Sequence, residues 1–257
     1  MEYFVICLTC LAVSGLTLFS GFGLGTVLAP VMAIFFPVET AIAATAVVHF
    51  ANNLFKLGLF GRAAAPGVVL RFGLPALAAS LGGAWALVRV SDLAPLLATS
   101  VTGVALTVTP VKLVVGLLMA GFAIHELREK KDARPVPAAW LPLGGLLSGF
   151  FGGLSGNQGA FRSAFLLGAG LSKEAFIATG VVLACLVDVS RLTVYAGQAG
   201  SVMLAGHPGL IAAATLSAFC GALAGRRLLR KVTIGFVRVL VGTMLLALSL
   251  SLCVGLI

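Results

Sequence analysis

Charge is scarce in this chain. Asp, Glu, Lys and Arg make up only 10% of its 257 residues, and just eight are acidic. A soluble domain carries far more, about a quarter of its residues. No polar run is long enough for a soluble domain: the longest, about 126–137, has the length of a loop. Histidine is equally sparse, and the sequence holds no HExxH and no His/Cys/Asp/Glu set at ligand spacing. Neither a metal nor another cofactor is expected. With no nucleophile–base pair either, the chain reads as not an enzyme. The five cysteines, Cys7, Cys10, Cys185, Cys220 and Cys253, are odd in number and lie in apolar runs, which excludes a disulfide framework. Cys7 and Cys10 form a CxxC without a partner pair and read as small core residues. No Lys or Arg precedes the first apolar run and Glu2 is acidic, so Tyr3 onward reads as mature chain, not signal peptide.

What fills the sequence is apolar: 60% of residues are hydrophobic, and the mean hydropathy is +1.14. A membrane-crossing helix needs roughly 20 apolar residues, and the chain is almost entirely such stretches. It is read as an all-α polytopic membrane protein whose surroundings are the lipid bilayer. The net charge of +9 would suit nucleic acid if it formed a patch. Here the basic residues sit between apolar spans, as the positive-inside rule predicts, so no nucleic-acid partner is expected.

The chain matches itself in three places. A shift of 135 lays Ser20-Gly21 on Ser155-Gly156, Glu39 on Glu174, Asn53 on Asp188 and Lys56 on Arg191. A shift of 142 lays Pro66-Gly67 on Pro208-Gly209, and one of 126 lays Val111-Lys112 on Val237-Arg238. The common order of these matches argues for duplication. The division is a first membrane repeat, 1–127, a basic cytoplasmic linker, 128–139, and a second repeat, 140–257. Each repeat is a Gly-interrupted stretch, 3–36 or 140–171, followed by three transmembrane helices. These are expected near 40–60, 66–88 and 110–127, then near 175–196, 208–225 and 234–255. Leu93 to Val108 are extra to the first repeat and read as an interfacial segment.

Charge decides how the interrupted stretches run. If both cross fully, the 16 Lys and Arg outside them divide evenly between the two sides. If each dips in and returns, 13 share one side and only Arg89, Lys112 and Arg191 take the other, while Arg162 lies inside the second stretch. The second outcome is what the positive-inside rule requires. It leaves three crossings per repeat, and an odd number inverts the second repeat relative to the first, a recurrent transporter design. Fully crossing kinked helices, with only a weak charge bias, are the alternative.

The interruptions read Ser20-Gly21-Phe22-Gly23-Leu24-Gly25-Thr26 and Gly152-Gly153-Leu154-Ser155-Gly156-Asn157-Gln158-Gly159. Irregular backbone survives at membrane depth only where protein or a water-filled cavity satisfies it. The short helix after each break aims free N–H groups and its positive dipole end at the tip, which suits an anion. Substrate-binding candidates are therefore Gly21, Gly23, Gly25, Thr26, Ser155, Gly156, Asn157 and Gln158. Tight helix packing is the rival reading, since Gly21/Gly25, Gly149/Gly153 and Gly152/Gly156 are all GxxxG pairs.

Ionisable residues inside a membrane are functional suspects. Arg162, shortly after the second tip, suits an oxyanion, or else a structural carbonyl or Asp188. Asp188 and Arg191, three apart on one helix, either pair with each other or couple transport to a proton or another ion. His49, Asn52 and Asn53 follow the first tip and are candidates for the same cavity, or for helix–helix hydrogen bonding. Lys56 reads as a side chain snorkelling to the inner interface. Glu39 and Glu174 read as charges at helix starts, Lys112 and Arg238 as interface anchors, and Arg226 to Lys231 as a solvated cytoplasmic face.

The Gly-rich break leading to Pro30, then Glu39-Thr40-Ala41-Ile42-Ala43, repeated as Lys173-Glu174-Ala175-Phe176-Ile177-Ala178, resembles the sulfite exporter TauE/SafE family across the whole chain. The resemblance implies a small bacterial inner-membrane permease with duplicated halves, moving sulfite, organosulfonates or related organic anions. Two departures bear on the substrate more than on the fold. Asn157 and Gln158 stand where the family usually has more glycine, and Ala164-Phe165 replaces the later proline. The expectation is a secondary transporter for a small anion, working by alternating access. An anion channel with the tips as a fixed filter, or a non-transporting scaffold, is the alternative. The pattern is compatible with a homo-oligomer.

Overall fold

Proline and small polar residues set where the helices begin. Pro66, Pro110 and Pro208 open α4 (Pro66–Ser91), α5 (Pro110–Leu127) and α9 (Pro208–Leu228), at the position where a missing N–H costs nothing. The Thr109 side chain accepts from Lys112 N to cap α5, and that of Ser172 accepts from Ala175 N to cap α8 (Lys173–Tyr195). Glu39 and Glu174 lie in the first turns of α3 (Val38–Phe60) and α8, where their charge meets the helix dipole. The remaining helices are α1 (Glu2–Leu16), α2 (Leu24–Ala33), α6 (Leu141–Ser155), α7 (Gly159–Gly168) and α10 (Ile234–Cys253). These elements come from a computed structural model that describes residues 1–16, 24–101, 104–128, 136–196, 206–228 and 234–257.

The fold is an all-α polytopic membrane protein. Among the described residues five segments are long and apolar enough to cross a bilayer: Val38–Leu59, Pro66–Ser91, Ala138–Ser155, Lys173–Tyr195 and Pro208–Gly225. Paired with these are short apolar helices. At 1.5 Å per residue, α2 and α7 span only about 15 Å, half the hydrocarbon thickness. Every residue of α2 is buried, so it is a central element without a lipid-facing side. Its Pro30 lacks the N–H that would bond the Thr26 carbonyl.

Two boundaries differ from the sequence reading. The helix before the second break runs through Gly152 and Gly153 to Ser155, so the irregular turn is Gly156 to Gln158 and not the whole glycine cluster. Packing explains this. A Cβ on Gly145, Gly149 or Gly153 would collide with the backbone of Phe72, Ala76 or Ser80 respectively. The two series, each spaced by four, form a seam between α6 and α4 that outweighs the low helix propensity of glycine. The second difference is at 93–108. Leu97–Val101 (β1) and Val104–Val108 (β2) pair as an antiparallel hairpin. Thr107 N donates to Gly255 O at 3.0 Å, and Lys112 Nζ donates to Thr107 O at 2.8 Å. The hairpin thus ties the start of α5 to the end of α10.

Several helix pairs recur at places that correspond in the sequence matches. As α4 lies on α6, so α9 lies on α1; as α4 meets α8, so α9 meets α3; α3 packs on α8 and α5 on α10. The α1–α9 seam is also glycine-lined: a Cβ on Gly221 would strike the Leu11 backbone, and one on Gly225 the Gly15 backbone.

Candidate functional site

Seven residues separate His49 from Lys56, two turns of α3, and His49, Asn52, Asn53 and Lys56 occupy one face at i, i+3, i+4 and i+7. All four are buried. The face of α8 carrying Asp188 and Arg191 meets His49 and Asn53, and the break between α6 and α7 closes the group with Gln158 and Arg162. Asp188 is the hub. Its Oδ1 accepts from Arg191 Nη2 at 2.7 Å and Nε at 3.0 Å, and from Gln158 Nε2 at 3.1 Å. Its Oδ2 faces His49 Nδ1 at 2.6 Å and Asn53 Nδ2 at 3.4 Å. An ionised carboxylate only accepts, so His49 Nδ1 carries the proton in that bond. Its Nε2 is left to accept the Asn53 amide at 3.2 Å.

The second tip is built into this network. Gly156 ends α6 at φ 79°, a left-handed conformation that suits glycine. A Cβ there would lie 3.3 Å from Arg191 Nη1, so a β-branched substitution would be both strained and intrusive. Arg191 Nη1 also reaches the Gly152 carbonyl at 3.4 Å, and the Tyr195 hydroxyl donates to the Gly153 carbonyl. Ser148 Oγ donates to Gln158 O at 2.9 Å, and Arg162 Nη1 donates to Gln158 Oε1 at 3.1 Å. The tip therefore hangs on α8 through side chains, and Gln158 links Asp188 to Arg162.

The amino end of α2 arrives at the same place. A Cβ on Gly25 would lie 3.3 Å from Gly156 O and 3.5 Å from the His49 ring. Asn53 and Asp188, matched by the shift of 135, touch each other directly.

Of the residues expected at a site, the structure gathers Gly25, His49, Asn53, Gly156, Gln158, Arg162, Asp188 and Arg191. Thr26 is buried within α2. Asn52 is buried but turned away, accepting from Ser14 Oγ at 3.2 Å. Ser155 Oγ donates to Phe151 O at 3.0 Å, and Asn157 Nδ2 donates to Ser155 Oγ at 3.2 Å, both local bonds beside the network. Gly21 and Gly23 lie outside the described residues. Lys56 is a correction: only 6% exposed, it does not snorkel to an interface. Its signal was the shared α3 face with His49 and Asn53.

The charge balance says what the site can hold. The buried formal charges among the described residues are Lys56, Arg162 and Arg191 against the single carboxylate of Asp188. Arg191 is matched by Asp188. Arg162 and Lys56 have no carboxylate within salt-bridge range among the described residues. Burying an unmatched cation costs several kcal/mol, and anionic charge would offset that cost. No group of three or more metal-binding side chains occurs among the described residues.

On the outer side of α7, Phe161 and Ala164 border a cavity of about 470 Å³ that Leu118, Phe122 and Phe151 complete. A family model described as Sulfite exporter TauE/SafE matches residues 6–252. Among curated proteins, none matches.

Proposed function

The chain belongs to the sulfite exporter TauE/SafE family, and on that premise we propose a secondary transporter that moves a small anion such as sulfite or an organosulfonate through the Asp188 network by alternating access. The observation that carries this reading is the buried excess of positive charge, Lys56, Arg162 and Arg191 against the single carboxylate of Asp188. Half-helix amino ends near the midplane, facing an anionic substrate between two repeats, are a transporter arrangement. Arg162 supplies a planar donor fork for an oxyanion, Gln158 holds that fork, and Asp188 with Arg191 fixes the tip. His49 and Asp188 offer a pair through which a proton could be coupled to transport.

The cavity behind α7 favours a carrier over a channel. The helix α7 is tied toward α8 through Gln158 and Arg162 and borders this cavity on its other face. Displacement of α7 into that volume would open the network. The family and the apolar helices make it a multi-pass membrane protein, and we propose the bacterial inner membrane, with the basic loop 128–134 on the cytoplasmic side.

Two measurements test the reading. Purified protein is titrated with sulfite, methanesulfonate, acetate and chloride. Saturable binding of one or both sulfur oxyanions is expected, and binding of none of the four would remove the assignment. The proposed inverted repeats rest on the charge division of 13 against 3. Single-cysteine labels at Glu39 and Lys173 should be reached from opposite faces of the membrane. Labelling of both from one face would exclude inversion.

A further inference from the structure

We infer that Lys56 is the second cation of the anion seat and that, with Arg162, it selects a doubly charged oxyanion over a singly charged one. The inference rests on the transport reading above and adds the substrate's charge and the residue that counts it.

Lys56 is 6% exposed and Arg162 is 7% exposed. They come from different elements: Lys56 stands one turn beyond Asn53, which touches Asp188, and Arg162 on α7 binds Gln158. Among the described residues neither has a carboxylate within salt-bridge range. Two like charges held in a low-dielectric interior repel. With Asp188 committed to Arg191 and His49, the carboxylate has no free lone pair aimed at Lys56. A lysine kept only for packing would be served as well by Met or Leu, without the penalty for a buried charge.

The matched positions point the same way. Lys56 corresponds to Arg191 under the shift of 135, and Arg191 has its carboxylate three residues earlier. At the corresponding place before Lys56 stands Asn53, which is neutral. One repeat therefore carries a cation with its counter-ion, and the other a cation without one. Gly180 lies beside Arg162, where a Cβ would be in ordinary contact with its Nε at 3.7 Å. Its counterpart in the first repeat is Thr45, and the counterpart of Arg162 is Val27. The two unmatched cations thus come one from each repeat, at non-equivalent positions. An occupant carrying two negative charges balances both, whereas a monoanion leaves one unmatched.

Sulfate and methanesulfonate test this, because they share a tetrahedral sulfur and three oxygens and differ by one charge. Binding of each is measured on purified wild-type, Lys56→Met, Lys56→Arg and Arg162→Gln proteins, with detergent melting as the folding check. Wild type is expected to favour sulfate by about tenfold or more, the scale of one charge-assisted contact. Lys56→Met should bring the two affinities together by weakening sulfate alone, and Lys56→Arg should keep the preference. Arg162→Gln should weaken both. Wild type binding the two equally, or binding neither, overturns the inference, and so does a folded Lys56→Met that retains the sulfate preference. If Lys56→Met fails to fold, a folded Lys56→Arg that has lost the preference overturns it, and one that keeps it supports the charge assignment. Loss of anion binding in no variant, Arg162→Gln included, would sink the transport reading itself and is distinguishable from a failure at Lys56 alone.

Discussion

Replacing Asp188 by Ala is expected to cost about 3–5 kcal/mol, the scale of breaking one side of a buried ion pair. The substitution strips the partner from Arg191, His49, Asn53 and Gln158 together. The guanidinium of Arg191 is 0% exposed and cannot rotate into water, so its charge is left uncompensated. Detergent melting should fall by roughly 10 °C, taking about 2–4 °C per kcal/mol for a chain of this size. The double variant Asp188→Ala/Arg191→Met should melt above the single one, because the orphaned cation has gone as well. An Asp188→Ala protein that melts like wild type would mean the carboxylate is not the hub.

Arg162→Gln should have the opposite signature. Among the described residues its hydrogen bond runs to Gln158 Oε1, and no carboxylate in salt-bridge range is lost with it. Removing an unmatched buried charge should leave melting unchanged or raise it, while anion affinity falls by about ten- to a hundredfold. Stability gained where function is lost marks a residue kept for its task. Arg162→Lys should recover part of the affinity, since a point charge replaces a planar fork. Wild-type affinity in a well-inserted Arg162→Gln protein would defeat the assignment.

The helices were legible because each is an apolar run punctuated by Pro, Gly or a polar cap. The expected 175–196 and the observed Lys173–Tyr195 differ by two residues at most. Arg162 and the pair Asp188–Arg191 were legible because charge within apolar sequence is conspicuous. The match of Asn53 to Asp188 marks two positions that touch in the structure. Partners across helices were not legible. Glycines at a break and glycines in a seam look alike in sequence, so sequence alone puts Gly152 and Gly153 in the irregular tip. They belong to a helix, with Gly153 pressed against Ser80. Lys56 was misplaced for a related reason. Its distance from the helix end suits snorkelling, and only the packing of α3 against α8 turns its face inward. The hairpin at 97–108 has β-branched residues, but no two-residue Asn-Gly or Asp-Gly turn that would have announced it.

The central claim is that a small anion crosses by alternating exposure of this network, and counterflow in proteoliposomes tests it most directly. Vesicles loaded with unlabelled sulfite are diluted into a trace of labelled sulfite, with the membrane potential clamped. A carrier returns with label after each outward trip, so the label should accumulate transiently above equilibrium, and Arg162→Gln vesicles should lack the overshoot. Label that only equilibrates, at a rate indifferent to the loaded anion, would mean a channel, and no uptake of any small anion would contradict the account altogether.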